Sequence, residues 1–145
     1  MKKLLYIFSI SFLVLITAAC GKNEVDESGP ADIPIKWVNA QIQNDQSKMV
    51  ELLDKKTTAL DQNQNAERKD TIKKYTLTEW KATNENYFYK IEFQDPTDKE
   101  KLRTDKMEVI KTESGWKRTK YGNIVDFDRL VEDLKPKVLR ELHDE

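Results

Sequence analysis

The sequence predicts an α+β domain: N-terminal helices packed on a four-stranded antiparallel meander, followed by a C-terminal helical extension. Three observations carry this. Apolar residues recur at helical spacing from Ile35 to Leu53, alternate with polar ones between about Ile72 and Tyr121, and return to helical spacing from Phe127 to Leu142. The expected divisions are a leader at 1–19, a tether at 20–32, the α+β domain at 33–122 and the extension at 123–145.

The chain opens on Lys2 and Lys3, then an apolar run from Leu4 to Ile16 broken only by Ser9 and Ser11, then Thr17-Ala18-Ala19-Cys20. A basic start, a short apolar middle and small residues at the end form the pattern of a secretory signal peptide. As a helix the run reaches roughly 20 Å, short of the ~30 Å hydrocarbon core, so it is a poor permanent span. Ile16-Thr17-Ala18-Ala19-Cys20-Gly21 resembles a bacterial lipobox. That resemblance implies that Thr17, Ala18 and Ala19 are read by the lipoprotein signal peptidase. It also implies that the Cys20 thiol receives a diacylglyceryl group and that cleavage leaves Cys20 as the mature N-terminus. Thr17 departs from the more usual leucine but is still small and uncharged. The competing reading is an ordinary secretory signal with an incidental cysteine. Two acyl chains, at about 0.8 kcal/mol per buried CH₂, anchor stably where one does not. The expected location is the extracytoplasmic face of a cell membrane, and the excess of lysine over arginine fits a low-GC, Gram-positive bacterium.

Without residues 1–19 the chain has 126 residues, enough for one unstapled core. It then carries 23 basic against 26 acidic residues, so a nucleic-acid partner is not expected. Cys20 is the sole cysteine, so a lipidated chain has no disulfide, thiol nucleophile or thiolate metal site. Gly21 to Pro34 is polar and punctuated by Gly29, Pro30 and Pro34, which describes a flexible tether.

The first helix is expected from Asp32, which can N-cap, through Ile35, Trp37, Val38 and Ile42. It should break at Asn44-Asp45, with Asp45 capping a second helix whose stripe is Met49, Leu52 and Leu53. Residues 57–69 read as an irregular connection, with room for a short helical turn at 66–69. A first strand runs from Ile72 to about Ala82, carrying Tyr75 and Leu77 on one face and Trp80 on the other. After Thr83-Asn84-Glu85-Asn86, a second strand sets Tyr87, Tyr89, Ile91 and Phe93 against Phe88, Lys90, Glu92 and Gln94. Asp95-Pro96-Thr97-Asp98 ends it, and a charged connection is expected up to Asp105. Strands at 107–110 and 116–121, joined through Glu113-Ser114-Gly115, complete the meander. Asp126 or Asp128 then caps the helical extension, which Pro136 should kink or break near Leu134-Lys135.

Two helices, a linker and four antiparallel strands resemble the cystatin-like folds that include the nuclear transport factor two-like group. Trp37-Val38-Asn39-Ala40, Asn44-Asp45 and the late Gly115-Trp116-Lys117 carry the likeness, over residues 33–121. It implies a curved sheet wrapped around helices and a cone-shaped pocket. Enzymes of that group often place a carboxylate and a tyrosine in the cone. Glu79, Glu92 or Glu108 with Tyr75, Tyr87 or Tyr89 would be the candidates here. Alternating charges more commonly form a solvated face, and tyrosines a half-buried one.

No Gly-x-Ser-x-Gly, phosphate-binding loop or dinucleotide glycine pattern occurs. His143 is the single histidine and reads as a solvated tail residue. The acidic run Asp95, Asp98, Glu100 and Asp105 lacks calcium-loop spacing and reads as a solvated loop. No catalytic, cofactor or metal residue is therefore assigned. The expected function is a non-enzymatic, membrane-anchored binding module for an envelope protein or peptide. The alternative is a small-molecule binder or vestigial enzyme with a pocket inside the sheet.

Overall fold

Helix α1, Asp32–Gln43, buries Ile33, Pro34, Trp37, Val38, Ala40 and Ile42 along one side. The computed structural model describes Asp26 and residues 28–142; the expected leader, with Thr17, Ala18, Ala19 and Cys20, and also His143, lie outside the described residues. Asp32 is not the cap that the sequence suggested. Ala31 occupies that position and makes no side-chain cap, while Asp32 sits in the first turn and pairs with Lys36 one turn on. Ala31 is itself buried, so the core begins inside the expected tether. Asn44 ends α1 in the left-handed region at φ 55°, a conformation asparagine tolerates. Helix α2, Gln46–Leu52, is capped as expected, the Asp45 carboxylate accepting from the Lys48 N–H at 2.9 Å.

The connection after α2 is irregular, and no helical turn forms at 66–69. The N–H groups of Glu67 and Arg68 both donate to the Gln43 carbonyl at the end of α1, so they are committed to α1 rather than to a local turn. Further on, Asn39 Oδ1 accepts from the Ile72 N–H at 2.8 Å.

Five strands form one antiparallel sheet in the order β4-β3-β2-β1-β5. They are β1 Tyr75–Lys81, β2 Asn86–Asp95, β3 Asp98–Thr112, β4 Gly115–Arg118 and β5 Pro136–Arg140. The first four are the expected meander. Strand β3 is much longer than expected, because the charged connection up to Asp105 is itself strand. Asp95 Oδ1 accepts from the Thr97 N–H and hydroxyl, at 2.9 and 2.7 Å. That Asx turn folds the chain straight back, and the long β2 then templates a long partner. Charge did not prevent this, because Asp105 shares a phase with buried Met107 and Val109. Near the hairpin the register shifts: Gln94 pairs with Leu102 but Asp95 with Asp98, so residues 99–101 bulge out.

The C-terminal helical extension is replaced by a short helix and a strand. Helix α3 spans only Phe127–Val131, with Asp126 at its N-cap position making no side-chain cap bond. Pro136 does not kink a helix but begins β5, which pairs with β1 from Trp80↔Pro136 to Leu77↔Arg140. A proline lacks a donor and is tolerated at the first residue of an edge strand. The outer edge of β1 supplies the unpaired backbone groups that β5 satisfies. Residues 124–140 thus belong to the sheet and its packing rather than to an appendage.

The two faces of the sheet are filled differently. On the first, α1 and α2 pack over Tyr75, Leu77, Tyr89, Ile91, Phe93, Met107 and Val109. On the second, Ile124, Phe127 and Val131 pack over Phe88, with Trp80 and Leu134 half-buried beside them. Among the described residues, no helix is long and apolar enough to cross a membrane.

Candidate functional site

Strand register decides which candidate residues meet. Glu79 faces Tyr89 across β1 and β2, on the helix-covered face. The Tyr89 hydroxyl donates to Glu79 Oε2 at 2.5 Å. Glu92 and Glu108 lie in the other phase, on the second face. There Glu92 pairs with Lys90 at 3.5 Å, and Glu108 accepts from Asn86 at 2.8 Å and Thr119 at 3.0 Å. Tyr75 is engaged elsewhere: its hydroxyl accepts from Arg140 Nη1 at 3.2 Å, and the guanidinium lies 4.3 Å from its ring centre. Of the carboxylate–tyrosine combinations considered, the hydrogen bonds bring together Glu79 and Tyr89.

Tyr89 has no exposed surface, so a ligand cannot reach its phenol without opening the core. Burial first, and then the Glu79 carboxylate, hold that phenol protonated far above the ordinary tyrosine range. Tyr87 stacks on Tyr89 with centroids 6.3 Å apart, and Trp116 meets Tyr87 edge-on at 5.5 Å. Where a cone would be hollow, Trp37, Val38, Leu77, Ile91, Met107 and Val109 are each at most 1% exposed. The tyrosines are thus not uniformly half-buried: Tyr89 is a core residue whose hydroxyl is satisfied by Glu79.

A second polar constellation, Asp105 with Arg118, was not a sequence candidate. Asp105 is not in a solvated loop as its acidic neighbourhood suggests; it is 5% exposed, and Arg118 is 1% exposed. The guanidinium donates to both Asp105 oxygens at 3.2 and 3.3 Å, and to the carbonyls of Lys120, Tyr121 and Gly122 at 2.5, 3.1 and 2.9 Å. It also lies 4.2 Å from the Trp37 ring centre. Burial pulls the guanidinium's pKa down and Asp105 opposes that shift. The grip on three successive carbonyls turns the chain away from the sheet, so β4 stops at Arg118 rather than at Tyr121. A cleft of about 230 Å³ borders this pair. Each guanidinium nitrogen already has a partner, which makes the arrangement a structural clamp. The one sequence signal for it was the phase Asp105 shares with Met107 and Val109.

Asp95 is likewise buried rather than solvated, at 7% exposure. The Thr97 hydroxyl is the largest influence holding its carboxyl below the ordinary value, with the Thr97 N–H and Arg103 adding to it. Among the described residues, no three His, Cys, Asp or Glu side chains converge to hold a metal ion. Comparisons of the chain with protein-family models, with curated proteins and with solved structures gave no match.

Proposed function

We propose that this chain is a membrane-anchored bacterial lipoprotein whose folded part acts as a non-enzymatic binding or interaction module on the extracytoplasmic face. The observation that carries the reading is Thr17-Ala18-Ala19-Cys20 at the end of a short basic-then-apolar leader. The short distance from Cys20 to α1 supports it. Eleven residues lie between Cys20 and Asp32, a reach of about 40 Å when fully extended, so the domain would stand close to the bilayer. A cystatin-like, curved sheet belongs to the same proposal. Helices before a meander, and Gly115-Trp116-Lys117 on β4, support it, with α3 and β5 as additions. The buried Tyr89 phenol favours a binding module over the pocket-enzyme alternative.

The test is acyl labelling in a bacterial host. The parent chain should incorporate labelled palmitate and fractionate with membranes. Cys20→Ala should lose the label and accumulate as uncleaved precursor or appear in the soluble fraction. Undiminished labelling of the variant would sink the proposal.

A further inference from the structure

We infer that the cleft between the segment entering β1 and the β2–β3 hairpin is a binding site for a phosphate-type anion. The cleft has a volume of about 470 Å³ and is walled by Lys69, Lys73, Lys74 and Lys99, with Asp70 and Asp95 as its acidic members. It supplies the ligand class that the binding-module reading leaves open.

Four features converge there. First, the charge is local. The chain outside its leader is net acidic, yet four ammonium groups border one cleft. Second, none of the four makes an ion pair among the described residues, so no fixed carboxylate partner occupies their donors. The Asp95 carboxylate is already engaged by Thr97 and by Arg103 at 3.5 Å. Asp70 is left as the opposing charge inside the cleft. Third, the backbone that carries the lysines is held in place. Gln94 bridges the two sides, its N–H donating to the Lys74 carbonyl at 3.1 Å and its side-chain amide to the Lys99 carbonyl. Gln43 Nε2 donates to the Asp70 carbonyl at 3.2 Å, and Arg140 Nη2 to the Lys73 carbonyl at 3.1 Å. The bulge at residues 99–101 sets Lys99 out of the regular ladder, at the rim. Fourth, the donors are lysines, with no arginine in the wall. Several ammonium groups around one cleft, each a point charge with three donors, suit a multiply charged anion such as a phosphate better than a singly charged carboxylate. A smaller cleft of about 280 Å³ shares Lys74 and Lys99 and is further lined by Lys101 and Glu100.

Exposed ammonium groups bind through a screened field, so affinity should fall steeply with ionic strength. The experiment uses the full chain in maltoside micelles, which carry no phosphate. Backbone amide shifts of Thr71, Lys73, Lys74 and Lys99 are followed during titration with pyrophosphate, and separately on adding phosphatidylglycerol or phosphatidylcholine to the micelles. Saturable shifts at these amides are expected. They should weaken at least about tenfold in Lys69→Gln/Lys73→Gln/Lys74→Gln/Lys99→Gln. A matched control, Lys55→Gln/Lys56→Gln/Lys120→Gln/Lys135→Gln, should titrate like the parent. A response to pyrophosphate identifies a soluble phosphate ligand. A response to phosphatidylglycerol alone, without one to phosphatidylcholine, identifies a lipid headgroup. No saturable shift with either anion overturns the inference. So does equal titration of parent and cleft variant, or an equal loss in the control. Both variants should keep the parent's unfolding midpoint, because all eight lysines are exposed. Acylation at Cys20 is read by a different label, so failure of the cleft and failure of the anchor are distinguishable.

Discussion

The two faces of the sheet are covered by unequal means. α1 and α2 lie over the first, where Trp37 of α1, at 0% exposure, shares one core with the strand residues from Tyr75 to Val109. The second is covered by five-residue α3 and the turn before it, which bury Ile124, Phe127 and Val131 against Phe88. A helix that short cannot persist alone; it is held because β4 precedes it and β5 follows it, both fixed in the sheet. The first face is therefore a core that includes its own ion pair, and the second is a clasp that depends on its ends.

The contrast is sharpest in side-chain truncation. Trp37→Ala should cost about 3–5 kcal/mol, since it opens a large cavity and removes the ring beneath the Arg118 guanidinium. Phe127→Ala should cost less, about 2–3 kcal/mol, because its neighbours Trp80 and Leu134 are only half-buried and can settle into the gap. Denaturant unfolding of both variants measures the difference. Equal costs would mean that the second face is as closely integrated as the first.

Between these two in size is the ion pair. Asp105→Ala leaves a buried, unpaired guanidinium and should cost roughly 3 kcal/mol or more. The double substitution Asp105→Leu/Arg118→Met should recover much of that loss, because no charge is then left buried. If the double variant is no better than the single, the carbonyl grip on residues 120–122 outweighs the charge in holding the β4 exit.

The smallest effect lies where the first face ends, at the β2–β3 turn. Asp95 has a lowered folded-state pKa, so its contribution to stability is complete above the unfolded-state value of about 4 and is lost as pH falls through the lower folded value. Thr97→Ala removes the hydroxyl that is the main cause. The Asp95 carboxyl should then titrate closer to its ordinary value, and acid destabilisation should begin at higher pH. Carboxyl NMR titration of parent and variant checks both statements.

The same contrast marks what the sequence could reveal. Strand β2 was legible because Tyr89, Ile91 and Phe93 alternate with polar residues, and α1 because Trp37, Val38 and Ile42 share its inner side. The first half of β3 was hidden, since Lys99, Glu100, Lys101 and Arg103 read as a solvated connection when the cue was charge rather than phase. Strand β5 was hidden because Val131, Leu134, Val138 and Leu142 also fit a helix, and only the vacant edge of β1 selects the strand. Glu79 and Tyr89 were both candidates, but their pairing is a property of register. The lysine cleft joins Lys69–Lys74 to Lys99 across a bulge, a proximity that no local pattern encodes.

The return of β5 to β1 has a consequence for how the chain comes together in time. A polypeptide emerging amino end first presents β1 to β4 while Pro136–Arg140 is still behind. Throughout that interval the Leu77–Trp80 edge lacks its final neighbour. An open edge of this kind is where another chain can pair wrongly. The last strand is thus a completion latch: its arrival protects the edge and fastens α3 over the second face in one event. A chain stalled or clipped before Pro136 would display the unpaired edge and the loosened apolar face together.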